Sequence, residues 1–154
     1  MPGSKVFVDT NTVLYLHDRK EAVKGAVVGR WIAALADQNR VQLNLQVLNE
    51  ATTVMTRGQW FDSPRRVFEI VDDLAEWGAK PLGWREVETA RFLHLTHRYS
   101  WWDCLLLASA LELGCTHFLS EDLQDGQRIA VGGKALTIVS PFAHTPDKIL
   151  SLQD

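Results

Sequence analysis

Apolar and polar positions along this chain follow two periods, and the changes of period mark its elements. Val6-Phe7-Val8 is an unbroken β-branched and aromatic run, which suits a buried strand. A short apolar piece follows at 12–16, and residues 21–37 place Val23, Val27, Trp31 and Leu35 at helical spacing, with Asn39 at the expected end. Val41-Gln42-Leu43-Asn44-Leu45 alternates with period two and predicts a strand covered on one face. Residues 46–57 return to helical spacing through Val47, Leu48, Ala51, Val54 and Met55, and Gly58 ends that run. Ser63-Pro64, an N-cap followed by proline at the first helical position, starts a helix whose apolar face is Val67, Ile70, Val71 and Leu74 and which Gly78 stops. Lys80-Pro81-Leu82-Gly83 reads as a short strand or an extended connection, since Pro81 cannot donate to a ladder.

The second half repeats the scheme. Residues 85–98 form a helix with Val87, Ala90, Leu93 and His94 inward, and Ser100 caps a very apolar helix over 101–113 that belongs against a sheet. Thr116-His117-Phe118-Leu119 is a strand, 121–127 an acidic loop, Gly132-Gly133 a turn and Leu136-Thr137-Ile138-Val139 the last strand, with 141–154 left unassigned. Strands separated by helical segments predict an α/β domain with a parallel sheet.

Composition narrows the class. A chain of 154 residues, 46% hydrophobic and 23% charged, suits one globular domain over 1–154 with a core that needs no staples. No apolar run is long enough to cross a bilayer, and Met1-Pro2-Gly3-Ser4-Lys5 leads into a strand without a signal-peptide core, so a cytoplasmic location is expected. Cys104 and Cys115 match neither a zinc pattern nor a redox pair and are expected as buried thiols. The net charge of −3 argues against a generally basic surface, so a nucleic-acid substrate would need a local basic patch or metal ions.

Acidic residues at element ends change the picture more. Asp9 follows the first strand, Glu50 comes early in the helix after the second, Asp103 sits in the first turn of the apolar helix, and Asp122 and Asp125 follow the strand that helix leads into. In a parallel α/β sheet, strand C-ends and the N-ends of following helices share one edge, which places Asp9, Glu50, Asp122 and Asp125 near each other. Asp103 is not brought there by that rule. Each acid also has a local reading: Asp9 as a helix cap, Glu50 as a solvent-facing acid, Asp103 as the partner of Ser100 in a capping box, and Asp122 and Asp125 with Gly126 as a turn. Converged carboxylates raise one another's pKa values unless cations neutralise them, and an oxygen-only donor set suits Mg²⁺ or Mn²⁺. Such ions bind phosphate oxygens, activate water and stabilise the charge of an in-line displacement, so phosphodiester hydrolysis is the chemistry this cluster would serve.

Four segments, Val6-Phe7-Val8-Asp9-Thr10-Asn11, Val47-Leu48-Asn49-Glu50, the stretch from Tyr99-Ser100-Trp101-Trp102-Asp103 to Ala110, and Phe118-Leu119-Ser120-Glu121-Asp122-Leu123-Gln124-Asp125-Gly126, resemble the PIN-domain nucleases in order and spacing over almost the whole chain. The likeness is to the VapC ribonuclease toxins of VapBC toxin–antitoxin modules. It implies a three-layer α/β/α sandwich around a parallel sheet of four to five strands and divalent-metal-dependent cleavage of RNA with Mg²⁺ or Mn²⁺. By motif, Asp9, Glu50, Asp103 and Asp122 match the acidic quartet, Asp125 a position that is often acidic, and Thr10, Asn11 and Ser120 its polar supports. Glu121 departs from the pattern, where a basic or neutral residue often stands. Membership further implies a cognate antitoxin protein and a homodimer, and no membrane partner.

The same residues are compatible with other functions. A PIN-like module could hold RNA or a protein without cutting, and a PIN nuclease outside toxin modules could process RNA. A phosphatase with Asp9 as nucleophile would want an acid two residues on, where Asn11 stands. No Ser or Cys pairs with a plausible His for covalent catalysis. Arg57, Arg65 and Arg66 flank the loop 58–63 and either contact RNA phosphates or are solvated helix ends. Trp60, Trp101 and Trp102, three of six tryptophans, either stack on unpaired bases or belong to core and interface. His94 and His97 lack the further ligands a zinc site needs.

Overall fold

The computed structural model describes residues 3–150; Met1 and Pro2 of the N-terminal lead and 151–154 of the unassigned tail lie outside them. Strand β1 (Val6–Val8) is buried along its length and lies at the centre of the parallel part of the sheet, between β2 (Val41–Gln42) and β3 (His117–Leu119). Outside β3 comes β5 (Lys134–Val139), also parallel, and at the edge β4 (Arg128–Val131), antiparallel to β5, giving the order β2-β1-β3-β5-β4. Phe7 and Phe118, opposite each other in the β1–β3 register, stack with ring centroids 5.4 Å apart. With helices on the sheet's faces, this is the expected three-layer sandwich, with one antiparallel strand added.

The helices are α1 (Thr10–Leu14), α2 (Ala22–Asp37), α3 (Leu45–Arg57), α4 (Pro64–Leu74), α5 (Trp84–His97), α6 (Trp101–Glu112) and α7 (Asp147–Leu150), with a 3-10 turn at Ala75–Trp77. Their starts follow local chemistry. Ser63 Oγ accepts from Arg65 N at 3.1 Å with Pro64 at the first helical position, and Ser100 Oγ accepts from Asp103 N at 3.2 Å. α6 is buried over Cys104 to Leu111, as its composition requires. α5 packs on α6, and α3 on α1 and α4.

Several expectations are corrected. The strand expected over 41–45 stops at Gln42, because Asn44 caps α3, its Oδ1 accepting from Val47 N at 2.9 Å, and Leu45 becomes the first helical residue. The backbone on either side of that cap leaves the sheet as well: Leu43 N donates to Trp77 O and Leu45 N to Lys80 O, so residues 80–83 form an extended connection and not a strand. On α2 the buried face is Val28, Trp31, Ile32 and Leu35, while Val23 is 80% exposed. His94 lies on the outer side of α5 with Nδ1 2.7 Å from Tyr99 O. β4 is not visible in the apolar pattern, since only Ile129 of its residues is fully buried. Its turn is, and Gly132 and Gly133 both take positive φ, 57° and 84°, as a two-residue hairpin of the I′ kind demands.

Candidate active site

The C-terminal ends of β1 and β3 set the site. Past the last paired residues, Asp9 N donates to Leu119 O, which keeps the end of β1 beside β3, and Ser120 N donates to Val139 O, which keeps the end of β3 beside β5. That brings Ser120 Oγ to 2.7 Å from Asp9 Oδ2, donating to it, while the same hydroxyl accepts from Asp122 N at 3.2 Å. Two further bonds tie neighbouring acids to the start of α1. Thr10 Oγ1 donates to Glu50 Oε1 and Asn11 Nδ2 to Asp122 Oδ2, each at 2.7 Å. Asp9 occupies the position before α1, yet its side chain makes no capping bond. The local reading of Asp9 as a cap is thereby set aside. Asp103 does follow the cap of Ser100, and its carboxylate also belongs to this group, since it adds to the charge felt at Asp9.

Electrostatics express the crowding. Asp9 is 4% exposed, and its pKa is raised from 3.8 to about 7, first by burial and then by the charges of Asp103 and Asp122, against the lowering effects of Ser120 and the Thr10 amide. Asp103 is also raised, by burial and by Asp122, although Ser100 opposes this. Among the described residues no Lys or Arg is hydrogen-bonded to or ion-paired with Asp9, Glu50, Asp103 or Asp122.

Asp9, Glu50 and Asp103, with Thr10 and Asn11, line a cleft of about 880 Å³; Asp122 reaches its edge through the hydrogen bond from Asn11. One wall is a face of α3 from Gln46 through Glu50 to Arg57; the other is apolar, with Leu82 and Trp102, the latter 61% exposed. Trp101 is half-buried against the core and Trp60 also packs there, so of the three tryptophans only Trp102 stands at the cleft.

Two acids of the last motif are held elsewhere. Asp125 accepts from Ser140 N at 2.8 Å and pairs with His144 Nε2 at 2.8 Å, and its pKa is lowered, chiefly by the Ser140 amide. Its carboxylate thus fastens the loop after β3 to the C-terminal segment. Glu121 turns towards α2, accepting from Tyr15 OH and forming an ion pair with Lys24 Nζ at 3.2 Å. Lys24 Nζ in turn lies 5.3 Å from the ring centroids of both Tyr15 and Phe142. The sequence pattern carries no sign of this network: Tyr15 reads there only as part of an apolar piece and Lys24 as a polar helix position. Among the predicted basic residues, Arg57 lines the main cleft, Arg66 lines a separate cavity, and Arg65 is exposed on α4.

Among the described residues, no three His, Cys, Asp or Glu side chains converge closely enough to hold a metal ion. The donor chemistry nevertheless fits a hard divalent cation. The buried Asp9 carboxylate has the Ser120 hydroxyl on it and the carboxylates of Asp103 and Asp122 near enough to add to the rise in pKa that burial causes, with no basic side chain bonded to relieve it.

A family model described as the PIN domain matches residues 6–130. The chain belongs to the PIN domain family. Among solved structures it is similar to VapC20 of Mycobacterium tuberculosis, a toxin that cleaves the sarcin–ricin loop, with a TM-score of 0.59 at 20% sequence identity, covering 74% of this chain and 87% of that one. No curated protein matches the sequence.

Proposed function

We propose that this protein is a divalent-metal-dependent endoribonuclease, the toxin of a VapBC-type module, using Mg²⁺ or Mn²⁺ and acting in the cytoplasm as a homodimer restrained by a cognate antitoxin protein. The observation that carries the nuclease reading is the buried Asp9 at the end of β1, its pKa raised to about 7 in the company of Asp103 and Asp122, at the wall of an open cleft. Asp9, Glu50, Asp103 and Asp122 are the residues that would hold the cation. The chemistry it supplies when bound is neutralisation of phosphate charge, activation of water and stabilisation of the leaving oxygen. Asp125, committed to Ser140 and His144, would serve by fixing the loop that carries Asp122.

The chain's own residues orient the donors. Thr10 fixes Glu50, Asn11 fixes Asp122, and Ser120 holds Asp9 Oδ2 while bonding the Asp122 amide. Trp102 and Leu82 give the substrate an apolar wall, and Arg57 offers a cation at the far end of the α3 face for a neighbouring phosphate.

The test is incubation of the purified protein with total RNA in Mg²⁺ or Mn²⁺, with EDTA and Asp9→Asn as controls. Cleavage that requires the metal and Asp9 is expected; cleavage surviving either control refutes the site. A second reading, a module that binds RNA without cutting, is favoured by the lack of three converged ligands among the described residues. It predicts RNA retention with no product under every metal condition.

A further inference from the structure

The catalytic cleft does not account for a second cavity of about 370 Å³, lined by Arg19, Trp60, Phe61, Asp62, Ser63 and Arg66. Its place in the fold follows from two helices. The first residue of α1 is tied to the middle of α3 by the Thr10–Glu50 hydrogen bond of 2.7 Å, and the two helices pack side by side. Both lead away from the acids. From Glu50 to Arg57, seven residues on, α3 advances about 10 Å at roughly 1.5 Å per residue, and that face lines the main cleft throughout. The second cavity takes up where it ends: Trp60 follows the end of α3, and Arg19 lies on the loop beyond α1.

The cavity wall combines aromatic faces with guanidinium groups. The Arg19 guanidinium carbon is 5.7 Å from the centroid of the Phe61 ring. Trp60 is seated over Gly58, where an added Cβ would come within 2.6 Å of the indole nitrogen, so glycine at that position leaves room for the ring. Arg66 enters from the first turns of α4 and is paired only loosely, with Glu69 at 3.7 Å between two exposed side chains. Its positive charge also helps burial to hold the His17 pKa down. Asp62 is the one carboxylate in the wall. In a chain of net charge −3, two arginines beside two aromatic rings form a local basic and stacking surface of the type that takes unpaired nucleotides, with the rings receiving a base and the arginines a phosphate.

We infer that this cavity is a second subsite for single-stranded RNA, a few nucleotides along the strand from the bond cut at the acidic edge, with Arg57 between the two. The inference rests on the proposed ribonuclease activity and names how that site selects its substrate. It makes recognition depend on strand length: a short substrate fills only the catalytic cleft, and a longer one reaches both cavities.

The experiment compares kcat/KM for a trinucleotide with that for a single-stranded RNA long enough to span both cavities, in wild type and in Arg19→Ala/Arg66→Ala. Both arginines are exposed and a thermal melt checks that the variant is folded. The preference for the long strand is expected to fall roughly tenfold or more. A preference retained, or an equal loss on both substrates, overturns the subsite. Fluorescence anisotropy of the long strand in EDTA is the second measurement and needs no cleavage. There the slope of log affinity against log salt is expected to shrink by about 0.7 for each phosphate that the variant no longer neutralises. A slope identical to wild type, as a cavity serving a protein partner would give, also overturns it. Should wild type cut no RNA, the proposed activity falls, while the anisotropy measurement still decides the cavity.

Discussion

Replacing Asp9 by Asn should stabilise the metal-free protein, and by an amount that depends on pH in a defined way. The Asp9 pKa rises from 3.8 to about 7 on folding, chiefly through burial, with Asp103 and Asp122 adding to it. The unfolded chain gives up this proton near pH 4, whereas the folded protein keeps it until near neutrality. Between those values the unfolded state binds fewer protons, so stability falls as pH rises through the window and stays low above it. About three pKa units correspond to roughly 4 kcal/mol at pH 8, and to under about 2 kcal/mol at pH 5, where most of the window still lies ahead. Asn keeps the shape and can still accept from Ser120 Oγ, which now bonds Asp9 Oδ2 at 2.7 Å, but has no charge to bury. Thermal denaturation in EDTA should therefore find Asp9→Asn more stable than wild type at pH 8, by roughly 10 °C in Tm, with the gain shrinking by more than half at pH 5. Saturating Mn²⁺ should raise the wild type and close part of the gap. A destabilised variant at pH 8, or a difference that does not change with pH, would refute the reading of Asp9 as a desolvated and crowded carboxylate.

Three other outcomes follow from contacts. Thr10→Val removes the donor to Glu50 Oε1 while keeping the shape, and should weaken Mn²⁺ binding measured by calorimetry severalfold at a stability cost of about 1 kcal/mol. Lys24→Ala leaves Glu121, next to Asp122, without its cation; the added negative charge should raise Mn²⁺ affinity modestly, and the gain should vanish in a Glu121→Gln background if the lysine acts only through that carboxylate. Cys104 and Cys115 are buried, with thiols pushed up by desolvation to about 11 and about 12, so neither should react with iodoacetamide at pH 8 until denaturant is added; labelling of the folded protein within minutes would contradict their burial.

The parts legible in the sequence are those where one local signal and the tertiary structure agree. Ser63-Pro64 and Ser100 start helices in isolation as they do in the fold, and Val6-Phe7-Val8 is apolar because both faces of β1 are covered. Asp9, Asp103 and Asp122 stand at element ends and share one electrostatic environment, whereas Glu50, expected early in its helix, lies in the middle of α3; Thr10 and Asn11 link Glu50 and Asp122 to the helix that follows Asp9. Misreadings arise where a partner distant in sequence decides. Leu43 and Leu45 alternate like a strand, yet their amides bond Trp77 and Lys80. Val23 continues a helical stripe that the sheet does not reach. β4 carries Arg128 and Ala130 on an open side, so half of its pattern faces water and no apolar run marks it. Glu121, with its partners on α2 and after α1, and Asp125, with its partners beyond β5, look alike in one acidic loop; only their neighbours tell a clamp from a ligand.

Those partners beyond β5 bear on where the working unit ends. The family segment stops at residue 130, but the loop that delivers Asp122 is anchored by Ser140 and His144, and Ser120 takes its backbone partner from Val139. A minimal fragment cut at the family boundary would keep all four acids and lose both the strand flanking β3 and the tether of their loop. The acidic edge is therefore a joint product of the shared segment and the chain that follows it, and the residues after 130 offer a way to tune the rigidity of the site without touching any of its carboxylates.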